Sequence, residues 1–464
     1  MSEESAVMSV PMIEWDSNLI QKYNQSGPRY TSYPTALEFS EQYDETAFRG
    51  AVSRYPDRPL SLYLHIPFCH KLCYFCACNK LVTRQPEKVE RYLATLANEI
   101  TQRAPLFKNR LVTQMHWGGG TPTFLTPSQI SRLMALLREQ FAFAFDAEIS
   151  IEIDPREITL DIIDHLHDEG FNRISMGVQD FDKEVQRLVN REQDESLIFA
   201  LLERAKSRGF ISTNIDLIYG LPRQTLASFH HTLSRVIELN PQRLSVFNYA
   251  HMPTLFAAQR KIKSQDLPDA AQKMAILQST ITTLCDAGYQ FIGMDHFARP
   301  DDELAIAQRA GQLHRNFQGY TTQGGCELLG MGVSAISMIG DSYVQNQKEM
   351  KGYADSVQQQ GNGLWRGVAL SLDDCLRRDV IKALICQFSI NYASLENRYG
   401  IRFADYFADD LALLRPLERD GLVVITAQGI AVTAKGRLLI RNICMCFDLY
   451  LRDKMRQRQF SRVI

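Results

Sequence analysis

Ser61-Leu-Tyr-Leu-His-Ile-Pro-Phe-Cys69-His-Lys-Leu-Cys73-Tyr-Phe-Cys76-Ala-Cys78 decides how this chain is read. An apolar, strand-like run leads directly into four cysteines within ten residues. The first three form C-x3-C-x2-C, flanked by the aromatic pair Tyr74-Phe75. Three thiolates can hold three irons of a 4Fe-4S cube and leave the fourth iron open. A cluster used only for electron transfer usually takes four protein ligands, so an open iron points to a further ligand there. Zinc sites favour two separated Cys or His pairs, and no second pair of that kind follows. Cys78 lies only two residues past Cys76, poorly placed for another corner of the same cube, and reads as a non-ligand near the site.

Working outward, strand-like runs recur at 61–66, 111–117, 148–153, 173–178, 213–218 and 243–247, with helical patterns between them at 87–103, 128–140, 160–169, 192–208 and 226–237. Pro127-Ser128 and Asp194-Glu195 read as helix starts. This alternation predicts a parallel sheet with helical crossovers, and six βα units suit a barrel or partial barrel. In such folds the site lies at the C-terminal ends of the strands. There the sequence places Cys69, Gly118-Gly-Gly-Thr-Pro-Thr123, Glu152 with Asp154, Gln179-Asp180, Asp216 with Tyr219, and Asn248-Tyr-Ala-His251.

The glycine run lacks the Lys-Ser/Thr ending of a P-loop. Its glycines let backbone approach a ligand closely, either to hydrogen-bond an amino acid cofactor or simply to make a tight turn. Glu152 and Asp154 fall on one strand face. They read either as ligands for a ribose or ammonium group, or as an ion pair and helix cap. The same choice applies to Asp216 and Gln179, and His65 reads as a packed strand residue.

Farther along come a helix at 270–287, a strand at 289–294 and a polar, loop-like stretch at 314–323. From 370 the pattern turns to helices at 374–386 and 403–415, two strands at 422–426 and 429–432, and a final helix from 434. Helices followed by a small β-wing resemble a winged-helix domain. No clear basic recognition helix accompanies it, which counts against a DNA-binding regulator.

The chain of 464 residues is 45% hydrophobic and 22% charged, enough apolar content for a sizeable core. Its 51 Lys and Arg against 53 Asp and Glu give a net charge of −2, which argues against nucleic acid as a partner. The start, MSEESAVMSVPMIEWD, lacks a basic segment followed by an apolar run, so no secretory signal is expected. No run of 18 apolar residues predicts a membrane span. The ten cysteines therefore read as thiols and ligands, and the location as cytoplasmic. The tail from 452 is basic and reads as a solvated end.

The cysteine spacing resembles that of radical S-adenosylmethionine (SAM) enzymes, in which SAM chelates the open iron. Tyr63-Leu-His-Ile-Pro-Phe-Cys69 with Cys73-Tyr-Phe-Cys76-Ala-Cys78-Asn79 is similar, more narrowly, to the oxygen-independent coproporphyrinogen III oxidases of haem biosynthesis. So are Gly27-Pro-Arg-Tyr-Thr-Ser-Tyr-Pro-Thr35, Trp117-Gly-Gly-Gly-Thr-Pro-Thr123, Ser175-Met-Gly-Val-Gln-Asp-Phe181 and Asn214-Ile-Asp-Leu-Ile-Tyr-Gly-Leu-Pro222. The likeness continues through Gly293-Met-Asp-His-Phe297, Asn316-Phe-Gln-Gly-Tyr-Thr-Thr322 and Gly330-Met-Gly-Val-Ser334, so it spans nearly the whole chain.

The resemblance implies an α/β fold: a partial (β/α)6 TIM-like barrel with an N-terminal extension and a mostly helical, winged-helix-like C-terminal domain. The expected domains are residues 1–59 (an extension that could cover the active site), 60–362 and 363–464. The implied cofactors are a 4Fe-4S cluster on Cys69, Cys73 and Cys76 and two SAM per chain. Tyr63, Gly119, Glu152 and Ile336 would contact the SAM on the open iron. Phe75, Gly120, Thr121, Gln179, Arg191, Asp216 and Ala250 would contact the second. Ala77 departs from the glycine common in the family between the last two cysteines.

The implied reaction converts two propionates of coproporphyrinogen III to vinyl groups, giving protoporphyrinogen IX. A 5′-deoxyadenosyl radical takes a hydrogen from the propionate β-carbon, then CO2 and one electron leave. Cys78, Tyr63, Arg29 and Gln318 are the catalytic candidates. The substrate carries four carboxylates, and Arg29 and Arg315 are candidates to meet them. The resemblance further implies a monomer served by a cytosolic electron donor such as flavodoxin or ferredoxin. A related haem chaperone without decarboxylase activity is the alternative. Those relatives lack the fourth cysteine and the Pro-Arg-Tyr-Thr-Ser-Tyr-Pro segment, both present here.

Overall fold

The computed structural model describes residues 13–454; most of the acidic start and of the basic tail lies outside them. The chain forms two compact units. One comprises Leu37–Ser279 and Gly325–Leu370; the other draws Thr280–Gly324 together with the described parts of Met1–Ala36 and Ser371–Ile464.

In the first unit all six anticipated strands form: β1 (Leu60–Ile66), β2 (Leu111–Gly119), β3 (Ala142–Ile153), β4 (Arg173–Gln179), β5 (Ser212–Tyr219) and β6 (Arg243–Asn248). They lie side by side in chain order and all parallel, the partial (β/α)6 arrangement. Helical crossovers α1 (Pro86–Arg103), α2 (Pro127–Gln140), α3 (Leu160–Asp168), α4 (Glu195–Arg208) and α5 (Leu226–Leu239) connect them. β1 is buried on both faces, as parallel strands covered by helices are. Trp117 of β2 is wholly buried edge-on to Phe171 at 5.2 Å.

The helix starts have local causes. Thr126 and Gln129 form a capping box ahead of Pro127. Asp194 accepts from the Ser196 amide, and Thr225 with Ser228 makes a second capping box. Each satisfies amides that have no partner within the helix.

β3 begins six residues before its anticipated start. Leu111 and Val112 pair with Ala142 and Phe143, then the register slips so that Gln114 meets Glu148. Beyond β1 the sheet continues with strands the sequence reading did not identify: Glu327–Met331, parallel to β1, then Ile336–Ile339, Ser342–Asn346 and Leu364–Ala369, antiparallel. Glu99 of α1 ties these strands down from within. It accepts 2.7 Å bonds from the Gly332 amide, the Asn346 amide group and the Tyr353 hydroxyl.

The second unit carries the helix Leu372–Gln387, the strand Ser389–Asn391, further helices and the wing Val423–Ile425 with Gly429–Val432, the order expected of a winged helix. The helix expected at 403–415 is interrupted at Phe407. Its ring is wholly buried against Phe403 and Phe447, at 4.6 and 5.6 Å, and the backbone leaves helical geometry at that residue. The single helix expected from 434 is instead a turn and two short helices, Ile440–Met445 and Leu449–Lys454. The polar stretch at 314–323, expected as loop, is a β-hairpin of His314–Asn316 with Gly319–Thr321.

The Gly27–Pro34 segment is built into this second unit. Arg441 donates to the Gly27 and Pro28 carbonyls. Tyr30 donates to Asp448 at 2.8 Å, and the Tyr33 hydroxyl accepts from the Leu449 amide. No helix among the described residues is long and apolar enough to cross a membrane.

Candidate functional site

The cysteine loop leaves β1 through the short strand Phe68–Cys69 and docks on the turn after the helix Lys183–Leu188, which the sequence reading missed. The Tyr74 amide donates to the Val189 carbonyl at 2.9 Å, and the Asn190 side chain donates to the Leu72 carbonyl at 2.7 Å. Tyr74 and Phe75 pack on a core of Val185, Val189, Leu221, Tyr249 and Ile262. Spacing singled out the cysteines; this apolar seat gives the loop its shape.

Cys69, Cys73 and Cys76 carry free thiols, the first two buried. Thr121 directs its hydroxyl at Cys69 Sγ, 3.7 Å away. Cys73 Sγ accepts from Arg156 at 3.2 Å and from Arg191 at 3.3 Å. Burial pushes the Cys69 thiol up to about 11. The hydrogen bond with Cys78 lowers the Cys76 thiol below its ordinary range. Cys78 is exposed and partners Cys76.

The glycine run meets this loop. Gly119 has φ +122°, and a Cβ on it would lie 2.9 Å from the Ile66 carbonyl oxygen. A Cβ on Gly120 would lie 2.7 Å from Pro67 and Phe68 backbone atoms. Only glycine fits where two strand-end loops press together this closely. Glu152 accepts from the Gly119 amide at 3.2 Å and faces His116 Nε2 at 3.3 Å, with its side chain 44% exposed. Tyr63 stacks on His116 and shares a 3.0 Å hydrogen bond with His65, which reaches the Asn79 carbonyl at 2.9 Å. His65 thus joins the strand end to the end of the cysteine loop.

Asp154 does not act beside Glu152. It accepts from the Arg156 amide at the start of a short helical turn and pairs with Arg156 and Arg191, the ion-pair and cap reading. Burial pushes its carboxyl upward, but the Arg191 and Arg156 charges outweigh it and hold the pKa at about 2. Asp216 is the opposite case: burial, then the Glu152 charge, raises it to about 6 despite bonds from Asn214 at 2.8 Å and Ser175 at 3.2 Å.

Gln179 stands at φ +71° at the end of β4. Its Oε1, Arg191 Nε and Asn248 Oδ1 are buried without hydrogen-bond partners among the described residues. Gln259 donates to both the Phe75 and Ala250 carbonyls, at 3.1 and 3.2 Å, bringing those two together. Ile336 opens its strand, its backbone folded against Gly330. Arg29 and Gln318 belong to the other unit, where Arg29 pairs with Asp295 at 2.9 Å.

Arg156 and His116 were not anticipated. A charge two residues past Asp154 reads as a solvated loop, and His116 carries no signal beyond strand alternation. Three thiols on one loop, close-pressed glycines and unsatisfied buried polar atoms are the donor chemistry of an iron-sulfur cluster beside an amino acid ligand, although among the described residues no three His, Cys, Asp or Glu side chains are gathered closely enough to hold a metal ion.

The comparisons agree with that chemistry. Residues 63–236 match the family model of the Radical SAM superfamily, and residues 370–439 that of the HemN C-terminal domain. The chain is 72% identical to the oxygen-independent coproporphyrinogen III oxidase of Escherichia coli (strain K12) and 71% to that of Salmonella typhimurium, over 98% of this chain and 100% of each relative. The Synechocystis relative of the same name is 48% identical over 98% of this chain and 99% of its own. The solved structure of coproporphyrinogen III oxidase (HemN) from Escherichia coli, described as a radical SAM enzyme, matches with a TM-score of 0.92. It shares 70% identity and covers 95% of this chain and 100% of its own.

Proposed function

Because the chain belongs to the oxygen-independent coproporphyrinogen III oxidases, which are radical SAM enzymes, we propose that it decarboxylates two propionates of coproporphyrinogen III to give protoporphyrinogen IX. The observation that carries this reading is identity above 70% along nearly the whole chain. That likeness also favours the oxidase over a haem chaperone.

Cys69, Cys73 and Cys76 would hold the 4Fe-4S cluster that the family implies. With the cluster and SAM bound, the site would supply the one-electron chemistry needed to break the propionate C–H bond. Protein groups do the positioning. Glu152, already bonded to the Gly119 amide, has room to accept from the SAM ammonium, with Tyr63, Gly119 and Ile336 around it. A second SAM would take Phe75, Gly120, Thr121, Gln179, Arg191, Asp216 and Ala250, using the free Gln179 Oε1 and Arg191 Nε. Cys78 and Tyr63 would shape the reacting end. Arg29, exchanging Asp295 for a propionate, and Gln318 would bind substrate. The setting is the cytoplasm, the protein a monomer, and the electron donor a flavodoxin or ferredoxin.

The test is an anaerobic incubation with coproporphyrinogen III, SAM and a reductant, followed by porphyrin chromatography. Two methionines are expected per protoporphyrinogen IX, one for each of the two propionates converted. SAM cleavage with no porphyrin product, together with stoichiometric haem binding, would overturn the reading.

A further inference from the structure

We propose that Arg315 anchors a carboxylate of the tetrapyrrole substrate, with the Gln318 amide as a second donor on the same hairpin; this rests on the function proposed above. His314–Asn316 and Gly319–Thr321 pair antiparallel, turning through Phe317 and Gln318. Arg315 stands directly across from Tyr320, its guanidinium carbon 4.7 Å from the ring centroid. The residue is only 9% exposed, yet Nε and Nη1 are buried with no hydrogen-bond partner among the described residues. Gln318 Nε2 is likewise buried and unused.

A guanidinium removed from water is costly unless an anion meets it. The Tyr320 ring recovers part of that cost by cation–π attraction but accepts neither free N–H. A carboxylate is the acceptor a guanidinium fits best. One cation with a neutral amide on the same hairpin matches a monoanion, the charge of a single propionate.

Arg29 differs. Its side chain is 36% exposed and it already holds the Asp295 carboxylate at 2.9 Å. A propionate reaching Arg29 must compete with Asp295; one reaching Arg315 has no such competitor in the hairpin. Arg315 therefore carries the larger share of carboxylate recognition.

The test is anaerobic binding of coproporphyrin III and of its uncharged tetraamide to the cluster-loaded full chain. For Arg315→Gln the coproporphyrin Kd should rise about 10- to 100-fold, the range for losing a charged hydrogen bond, while the tetraamide Kd stays within about threefold. Arg315→Lys should fall between wild type and Arg315→Gln, and Arg29→Ala should weaken the acid less than Arg315→Gln. Iron content and SAM binding should match wild type in all three, which separates this outcome from misfolding. Equal weakening of acid and amide, or wild-type acid affinity in Arg315→Gln, overturns the assignment. If wild type itself neither binds coproporphyrin nor converts coproporphyrinogen, the proposed function fails, not the reading of this residue alone.

Discussion

The strand ends of the barrel unit and the hairpin at 314–321 treat buried charge in opposite ways. At the strand ends, Asp154 has two guanidinium partners, and Glu152 has the Gly119 amide and His116. Cys73 Sγ takes a donor from each arginine. In the hairpin, Arg315 keeps two buried donors and Gln318 a third without a partner among the described residues. Charges paired within the protein are held in place before any ligand arrives, even though Gln179 Oε1 and Arg191 Nε stay unmet at the strand ends; an unpaired buried cation is a site whose missing partner is supplied by the ligand. The first suits a resident cofactor, and the second a substrate that enters and leaves.

The largest expected effect breaks the comparison at its cofactor side. Replacing Cys69, Cys73 or Cys76 by Ser should reduce iron from about four per chain, the content of one cube, to a small residue. Methionine release from SAM should then be abolished. Cys78→Ser should retain the iron. Iron analysis of anaerobically reconstituted protein decides it, and a Cys76→Ser protein with full iron would remove that residue from the ligand set.

Much of the barrel was legible because parallel strands covered on both faces need apolar, β-rich runs, and because Pro127-Ser128 and Asp194-Glu195 announce helix starts. What escaped depends on tertiary context. The early start of β3 follows a register slip against β2 that no local pattern records. The break at Phe407 comes from the demand for its ring in the core. The hairpin at 314–321 is too short and polar to alternate visibly. In the candidate site, spacing singled out the cysteines as expected ligands, and strand-end position singled out Glu152 and Asp216 as expected contacts. Whether Asp154 meets a ligand or an arginine depends on Arg191, 37 residues away in sequence.

A smaller effect separates two carboxylates within the barrel unit. Asp216 is raised from 3.8 to about 6, chiefly by burial. Its protonated form is the one the fold favours, so its contribution to stability is complete below about 3.8 and lost as pH rises through 6. At 1.36 kcal/mol per unit this amounts to about 3 kcal/mol. Asp154, held at about 2, runs the other way: its contribution is present above 3.8 and lost as pH falls through 2. Urea unfolding from pH 4 to pH 8 should show Asp216→Asn gaining on wild type as pH rises. A constant gap across that range would mean that Asp216 is ionised throughout.

The smallest effect tests the contrast itself, by removing one arginine from each region of the cofactor-free protein. Arg191→Leu takes one of two cationic partners from buried Asp154 and a donor from Cys73. It should cost about 2–3 kcal/mol, the worth of a charged hydrogen bond, and not more, because Arg156 remains. Arg315→Met removes a buried cation to which no carboxylate among the described residues is bonded, and keeps an apolar stem against Tyr320. Its stability should be unchanged or higher by about 1 kcal/mol, since replacing a poorly compensated buried charge with an apolar side chain is often favourable. Opposite signs in a urea titration would establish that the buried charges at the strand ends are paired from within and that of the hairpin is not. If Arg315→Met costs as much as Arg191→Leu, the hairpin arginine has an internal partner, and the difference between the two regions disappears.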